Sequence, residues 1–81
     1  MSRPVKRSLT LNGHRTSVSL ENEFWQAFRT IASDEGRAVN ALAAEVDERR
    51  GTETGLATAI RLFVLKRLQE RSTSGQATLD E

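Results

Sequence analysis

One strand-length segment, His14–Leu20, alternates polar with small or apolar residues in a chain whose other apolar residues follow helical spacing. The polar positions are Arg15, Ser17 and Ser19, and the intervening positions are Thr16, Val18 and Leu20. An isolated strand leaves its backbone N–H and C=O groups without partners. The segment must therefore pair with another part of this chain, with a second copy of the chain, or with both.

The dipeptide Asn12-Gly13 precedes this strand and predicts a β-hairpin, because both residues tolerate the positive φ of a type I′ turn. In that register Leu11 opposes His14, Leu9 opposes Thr16 and Arg7 opposes Val18. One face would then carry Leu9, Leu11, Thr16, Val18 and Leu20, and the other Ser8, Thr10, Arg15, Ser17 and Ser19. In the alternative, residues 8–13 form an extended arm and only residues 14–20 form the ribbon.

Three helices are predicted after the strand, over residues 21–35, 39–49 and 56–70, from apolar residues at 3.6-residue spacing. Gly36 ends the first helix, and residues 51–55 form a loop. The third helix is apolar over more than half of its circumference, which indicates packing on two sides, as in a dimer interface. The residues expected in the core or a dimer interface are Val18, Leu20, Trp25, Phe28, Leu42, Val46, Ile60, Phe63 and Val64.

A chain of 81 residues makes one small domain and buries little surface alone, which favours oligomerisation. We expect a flexible basic arm over residues 1–7, a folded domain over residues 8–70 and a disordered tail over residues 71–81. The tail is rich in Ser, Thr and Gly and ends in acidic residues.

The composition excludes several function classes. There is no cysteine, and His14 is the only histidine, with no second histidine or paired acids to orient it or to share a metal. We therefore expect no enzyme activity, no cofactor and no metal site. No apolar run approaches the length of a membrane span, and the N-terminus lacks the apolar core of a signal peptide, so we expect a cytoplasmic protein.

Positive charge is concentrated at the N-terminus. Residues 1–20 carry Arg3, Lys6, Arg7 and Arg15 and no acid, whereas the rest of the chain carries eight Lys or Arg against eleven Asp or Glu. This distribution is typical of an arm that binds a polyanion. A two-stranded ribbon fits the major groove of DNA, where Arg15 could bind guanine and the two serines several base edges.

The segment Gly36-Arg37-Ala38-Val39-Asn40 presents the N-terminus of the second helix, whose free N–H groups can bind a phosphate. Taken alone, it is more simply an ordinary interhelical turn with Asn40 as a capping residue.

Three features together resemble a ribbon-helix-helix DNA-binding protein: the strand Arg-Thr-Ser-Val-Ser-Leu, the amphipathic first helix and Gly-Arg-Ala-Val-Asn at the start of the second. Two longer segments resemble a bacterial subgroup of that family with a third helix, and the resemblance covers about residues 6–68. They are Lys-Arg-Ser-Leu-Thr-Leu-Asn-Gly-His-Arg-Thr-Ser-Val-Ser-Leu-Glu and Ala-Ile-Arg-Leu-Phe-Val-Leu.

The resemblance implies a mostly α fold with a short β-ribbon, built as an intertwined homodimer whose two strands pair antiparallel and enter the major groove. By the matching positions, Arg15, Ser17 and Ser19 would face the bases, Thr16, Val18 and Leu20 the core, and Val39 and Asn40 a phosphate. Ala38 departs from the family, which commonly has a Ser or Thr cap there. Serines at two of the three reading positions offer little base discrimination.

The function expected is that of a transcriptional regulator, most simply a repressor, with Arg3, Lys6 and Arg7 adding phosphate contacts. Two alternatives remain open. One is an antitoxin with the same fold, in which the C-terminal region binds a protein partner. The other is a protein-interaction module that keeps the dimer scaffold and does not bind DNA.

Overall fold

The structure is a computed structural model that describes residues 3–51 and 53–76, with side chains as far as Arg71. Within these residues, two strands form one antiparallel sheet, and three helices follow them. The elements are β1 (Val5–Leu11), β2 (His14–Leu20), α1 (Asn22–Asp34), α2 (Val39–Arg49) and α3 (Leu56–Gln76).

The ribbon is a hairpin within one chain. Asn12 (φ 52°) and Gly13 (φ 84°) both occupy the left-handed region, as a type I′ turn requires. The strands pair in the predicted register, with Leu11 opposite His14 and Leu9 opposite Thr16. The alternative of an unpaired arm over residues 8–13 is therefore wrong.

The hairpin has one apolar face and one polar face, because successive side chains of a strand point to opposite sides. Leu9, Leu11, Val18 and Leu20 are buried against the helices. Thr16 was expected on the core side and is exposed. It borders a shallow cleft with Leu56 and is not covered by a helix.

The first two helices begin and end close to the predicted positions. Helix α1 ends in a Schellman motif: Gly36 (φ 67°) donates its N–H to the carbonyl of Ser33 at 3.0 Å, and Arg37 donates to that of Ala32 at 2.9 Å. Helix α2 spans the predicted residues, and its N-cap, Ala38, provides no side-chain hydrogen bond.

The core lies between the sheet and the three helices. Phe28, at 0% exposure, packs edge-on against Phe63, with ring centroids 5.9 Å apart and planes at 78°. Of the nine residues predicted for the core or a dimer interface, seven are buried, and Trp25 and Phe63 are partly buried against the cluster. The buried seven are Val18, Leu20, Phe28, Leu42, Val46, Ile60 and Val64.

The ribbon and the third helix are both longer than predicted. Strand β1 begins at Val5, inside the segment expected to be an arm, and α3 continues to Gln76, inside the expected tail. Five residues before its end, α3 contacts α1 through an ion pair between Arg71 and Asp34, 2.8 Å apart. Met1, Ser2 and residues 77–81 lie outside the described residues, so the outer parts of the predicted arm and tail remain predictions.

Candidate nucleic-acid interface

The outer face of the hairpin consists of six exposed side chains in three cross-strand pairs. Their pairing follows directly from the register, and no acidic residue is among them. The pairs are Lys6 with Ser19, Ser8 with Ser17, and Thr10 with Arg15. Arg15, Ser17 and Ser19 were predicted at this site, and Lys6 was predicted to belong to an arm. Ser8 and Thr10 were not predicted as site residues, although the alternation around Asn12-Gly13 puts them on this face.

The two cations of this face lie at diagonally opposite corners, and its other four side chains carry hydroxyl groups. Arg15 lies at the turn end of β2, and Lys6 lies at the far end of β1. From Arg15 to Ser19 the strand spans about 14 Å at about 3.4 Å per residue, comparable with about four base pairs. A guanidinium can donate two hydrogen bonds to guanine, and each hydroxyl can both donate and accept.

Arg7 lies on the opposite side of the ribbon from these six residues. Its Nη2 donates to Oδ1 of Asn22 at 3.3 Å, and its guanidinium lies 5.4 Å from the centre of the Trp25 ring. Its Nε is buried, with no hydrogen-bond partner among the described residues. Arg7 was predicted to bind phosphate together with Arg3 and Lys6. Its guanidinium instead fastens β1 to α1, because odd-numbered residues of β1 face the helices.

The start of α2 is hydrogen-bonded to the free edge of β1. The backbone N–H of Thr10 donates to Oδ1 of Asn40 at 3.1 Å. The predicted phosphate-binding residue Asn40 thus uses its side-chain oxygen to hold α2 beside the ribbon. This contact joins residues 30 apart in the chain, and no sequence signal pointed to it.

The first turn of α2 remains suited to an anion. Intrahelical bonding begins with the N–H of Leu42, which donates to Ala38, so the N–H groups of Val39, Asn40 and Ala41 have no partner within the helix. There is no acidic residue in that turn, and a helix N-terminus carries partial positive charge. The hydrogen bond to Thr10 places these donors next to the outer face of the hairpin.

The far edge of β2 is open over most of its length. Because Leu11 and His14 flank a two-residue turn, the backbone groups of Arg15, Ser17 and Ser19 point away from β1. The carbonyl of Ser19 accepts a long bond, 3.5 Å, from Nη2 of Arg61. Among the described residues, none bonds to the outward backbone groups of Arg15 and Ser17.

Arg61 anchors α3 beneath this edge. It forms an ion pair with Glu21 at 2.9 Å, and its guanidinium lies 5.9 Å from the centre of the Phe24 ring. The hydrogen bond from Arg61 lowers the pKa of Glu21 from its ordinary value of 4.5. Leu65 and Leu68, four and seven positions beyond Arg61 on the same side of the helix, are 50% and 45% exposed. Exposed apolar side chains therefore adjoin the open edge of β2.

Neither a metal-binding cluster nor a membrane-spanning helix is found in the part of the chain that the structure describes. No group of three His, Asp or Glu residues there could hold a metal ion. The helices it contains are too short or too polar to cross a membrane.

Comparison with known families agrees with this architecture. Residues 4–68 match the ribbon-helix-helix domain family, and the chain belongs to that family of DNA-binding regulators. Neither the curated proteins nor the solved structures contain a match to the chain.

Proposed function

We propose that this protein is a sequence-specific transcriptional regulator of the cytoplasm that inserts the outer face of its hairpin into the major groove and acts by occupying an operator. The observation that carries the proposal is the composition of that face: two cations, four hydroxyls and no carboxylate, all exposed. Such a surface is attracted to phosphates and presents the donors and acceptors that bind base edges.

Phosphate contacts would flank the ribbon. The free N–H groups of Val39 and Asn40 lie beside β1, and Arg3 lies two residues before that strand begins. These groups bind the DNA backbone without regard to sequence and fix the register of the ribbon. Lys6 lies on the outer face itself, at the end far from the turn, where it too can reach a phosphate.

We further propose that the DNA-bound form is a homodimer joined along the open edge of β2. Antiparallel pairing of two such edges about Ser17 would give a four-stranded sheet with both β2 strands at its centre. Strands lie about 4.8 Å apart, so the two central strands fit a major groove about 12 Å wide, and each β1 would lie over a phosphate backbone. Leu65 and Leu68 would be buried in the same contact, and Arg61 would release the carbonyl of Ser19.

In vitro selection from a random DNA pool, followed by affinity measurements on the enriched site, tests the DNA-binding proposal. We expect Arg15→Ala to weaken binding by about 1 to 3 kcal/mol, or about 5- to 150-fold. The matched control is His14→Ala, an exposed neighbour on the other face of β2. No enriched site, or equal losses for the two variants, would contradict the proposal and favour a protein-interaction module.

Sedimentation equilibrium tests the homodimer separately. Leu65→Glu should shift the protein toward monomer, because it places a carboxylate in the proposed apolar contact, whereas Gln26→Glu on the exposed side of α1 should not. A parent protein that stays monomeric both alone and on the selected site would overturn the dimer and leave the DNA-binding face intact.

A further inference from the structure

A groove runs between α2 and α3, apart from the proposed DNA interface. Its larger section has a volume of about 350 Å³, and a smaller section of about 130 Å³ continues along the same helices. The two sections share Arg49, Phe63 and Lys66, and neither is lined by a residue of the hairpin. The groove could therefore be occupied while the outer face of the ribbon is engaged.

The floor of the groove is apolar and partly open to solvent. It is formed by Val46, Ala59, Leu62 and Phe63. Leu62 is 56% exposed, the most exposed of the large apolar side chains that the structure describes. From Ala59 to Glu70 the groove follows α3 for about 16 Å, at about 1.5 Å per residue, enough for about three turns of a second helix.

Cations outnumber carboxylates around the groove. Arg49, Arg50, Lys66 and Arg67 line it, against Glu45 and Glu70. Both carboxylates are already paired within the chain: Glu45 lies 2.6 Å from Arg37 and 3.1 Å from Arg49, and Glu70 lies 3.7 Å from Arg67.

Two of the cations remain accessible to a partner. Arg49 shares the Glu45 carboxylate with Arg37 and its side chain is 76% exposed, and Lys66 is exposed and forms no ion pair within the described part of the chain. Arg50 and Arg67 are held by Asp47 and Glu35 respectively.

We infer that this groove binds an amphipathic helical segment of a protein partner, one whose apolar side chains contact Leu62 and Phe63 and whose carboxylates pair with Arg49 and Lys66. An apolar floor recognises the i, i+3, i+4 and i+7 side chains of a helix, and the excess of cations selects an acidic one. The partner would be brought to DNA by a surface that the DNA contact leaves free.

Selection from a phage-displayed library of random 16-residue peptides against the whole chain tests the inference. The expected result is a set of peptides enriched in Asp and Glu, with Leu, Phe or Met at helical spacing. Synthetic copies should lose at least tenfold in affinity for Lys66→Glu and for Arg49→Glu, and Arg29→Glu, an equal charge change on α1, should leave their affinity unchanged.

Several results would overturn the inference. They are failure to enrich any peptide, enrichment without acidic residues, and equal binding to Lys66→Glu and the parent. Self-association that Lys66→Glu abolishes would instead assign the groove to a second copy of this chain. Circular dichroism on each variant tests whether it is folded. A DNA-binding assay on the same variants distinguishes loss of peptide binding at the groove from loss of DNA binding at the hairpin.

Discussion

Asn40 has two roles that substitutions can separate. Its side chain holds α2 beside the ribbon, and its backbone N–H is part of the proposed phosphate site. Asn40→Ala removes the acceptor of the Thr10 N–H bond at 3.1 Å. Both groups are exposed and water can replace the acceptor, so the free energy of unfolding should fall by only about 0.5 to 1.5 kcal/mol.

Asn40→Asp keeps the acceptor and adds a negative charge to the first turn of α2. That charge favours the helix N-terminus by about 0.3 to 1 kcal/mol, so the variant should fold at least as stably as the parent. A DNA phosphate about 5 Å away would be repelled by about 1 kcal/mol in water and about 3 kcal/mol at an effective dielectric of about 20. The affinity for the selected site should fall by about 5-fold to about 150-fold.

Chemical denaturation and fluorescence anisotropy measure the two quantities. Thr58→Asp is the matched control, because it adds the same charge to the first turn of α3, at an exposed position off the ribbon. If Asn40→Asp binds DNA as tightly as Thr58→Asp does, no phosphate lies at the start of α2 and that part of the account is wrong.

Three further predictions concern the fold that supports the interface. Phe28→Ala should lower the free energy of unfolding by about 3 to 5 kcal/mol, because the ring is fully buried against Phe63, and a loss below about 1 kcal/mol would mean that this pair is not central to the core. Gly13→Ala should cost about 1 kcal/mol in thermal or chemical denaturation, since its φ is 84° although a Cβ would meet no neighbour, and a neutral result would contradict the type I′ turn. Because Arg61 lowers the pKa of Glu21, Glu21→Gln should reduce the free energy of unfolding above about pH 4.5, and this reduction should disappear as the pH falls through the lowered pKa. A difference in stability between the variant and the parent that persists at pH 2 would contradict the ion pair.

Local signals were sufficient to predict the hairpin and most helix ends. Asn12-Gly13 fixes the turn, and the turn fixes the register. A one-residue slip of either strand would move its buried residues, such as Leu9 or Val18, to the solvent side. Gly36 ends α1 because it adopts the left-handed conformation of the Schellman motif at low cost. These features depend on neighbouring residues, which the sequence displays directly.

The structure differs from the sequence predictions mainly where residues far apart in the chain are in contact. Residues 71–76 have the composition of a tail, yet they continue α3, which is held near that point by the ion pair between Arg71 and Asp34. Arg7 was interpreted from its charge alone, although its register position opposite Val18 puts it on the face toward the helices, where its guanidinium meets the Trp25 ring. The hydrogen bond that Asn40 accepts from Thr10 of β1 joins residues 30 apart in the chain.

Contact between DNA and the six-residue outer face of the hairpin can be observed residue by residue. The measurement is an NMR titration of the isotopically labelled protein with its selected duplex. We expect the largest chemical-shift changes at Lys6, Ser8, Thr10, Arg15, Ser17 and Ser19 and at the first amides of α2. Changes concentrated on α3, with the outer face of the ribbon unaffected, would contradict this contact.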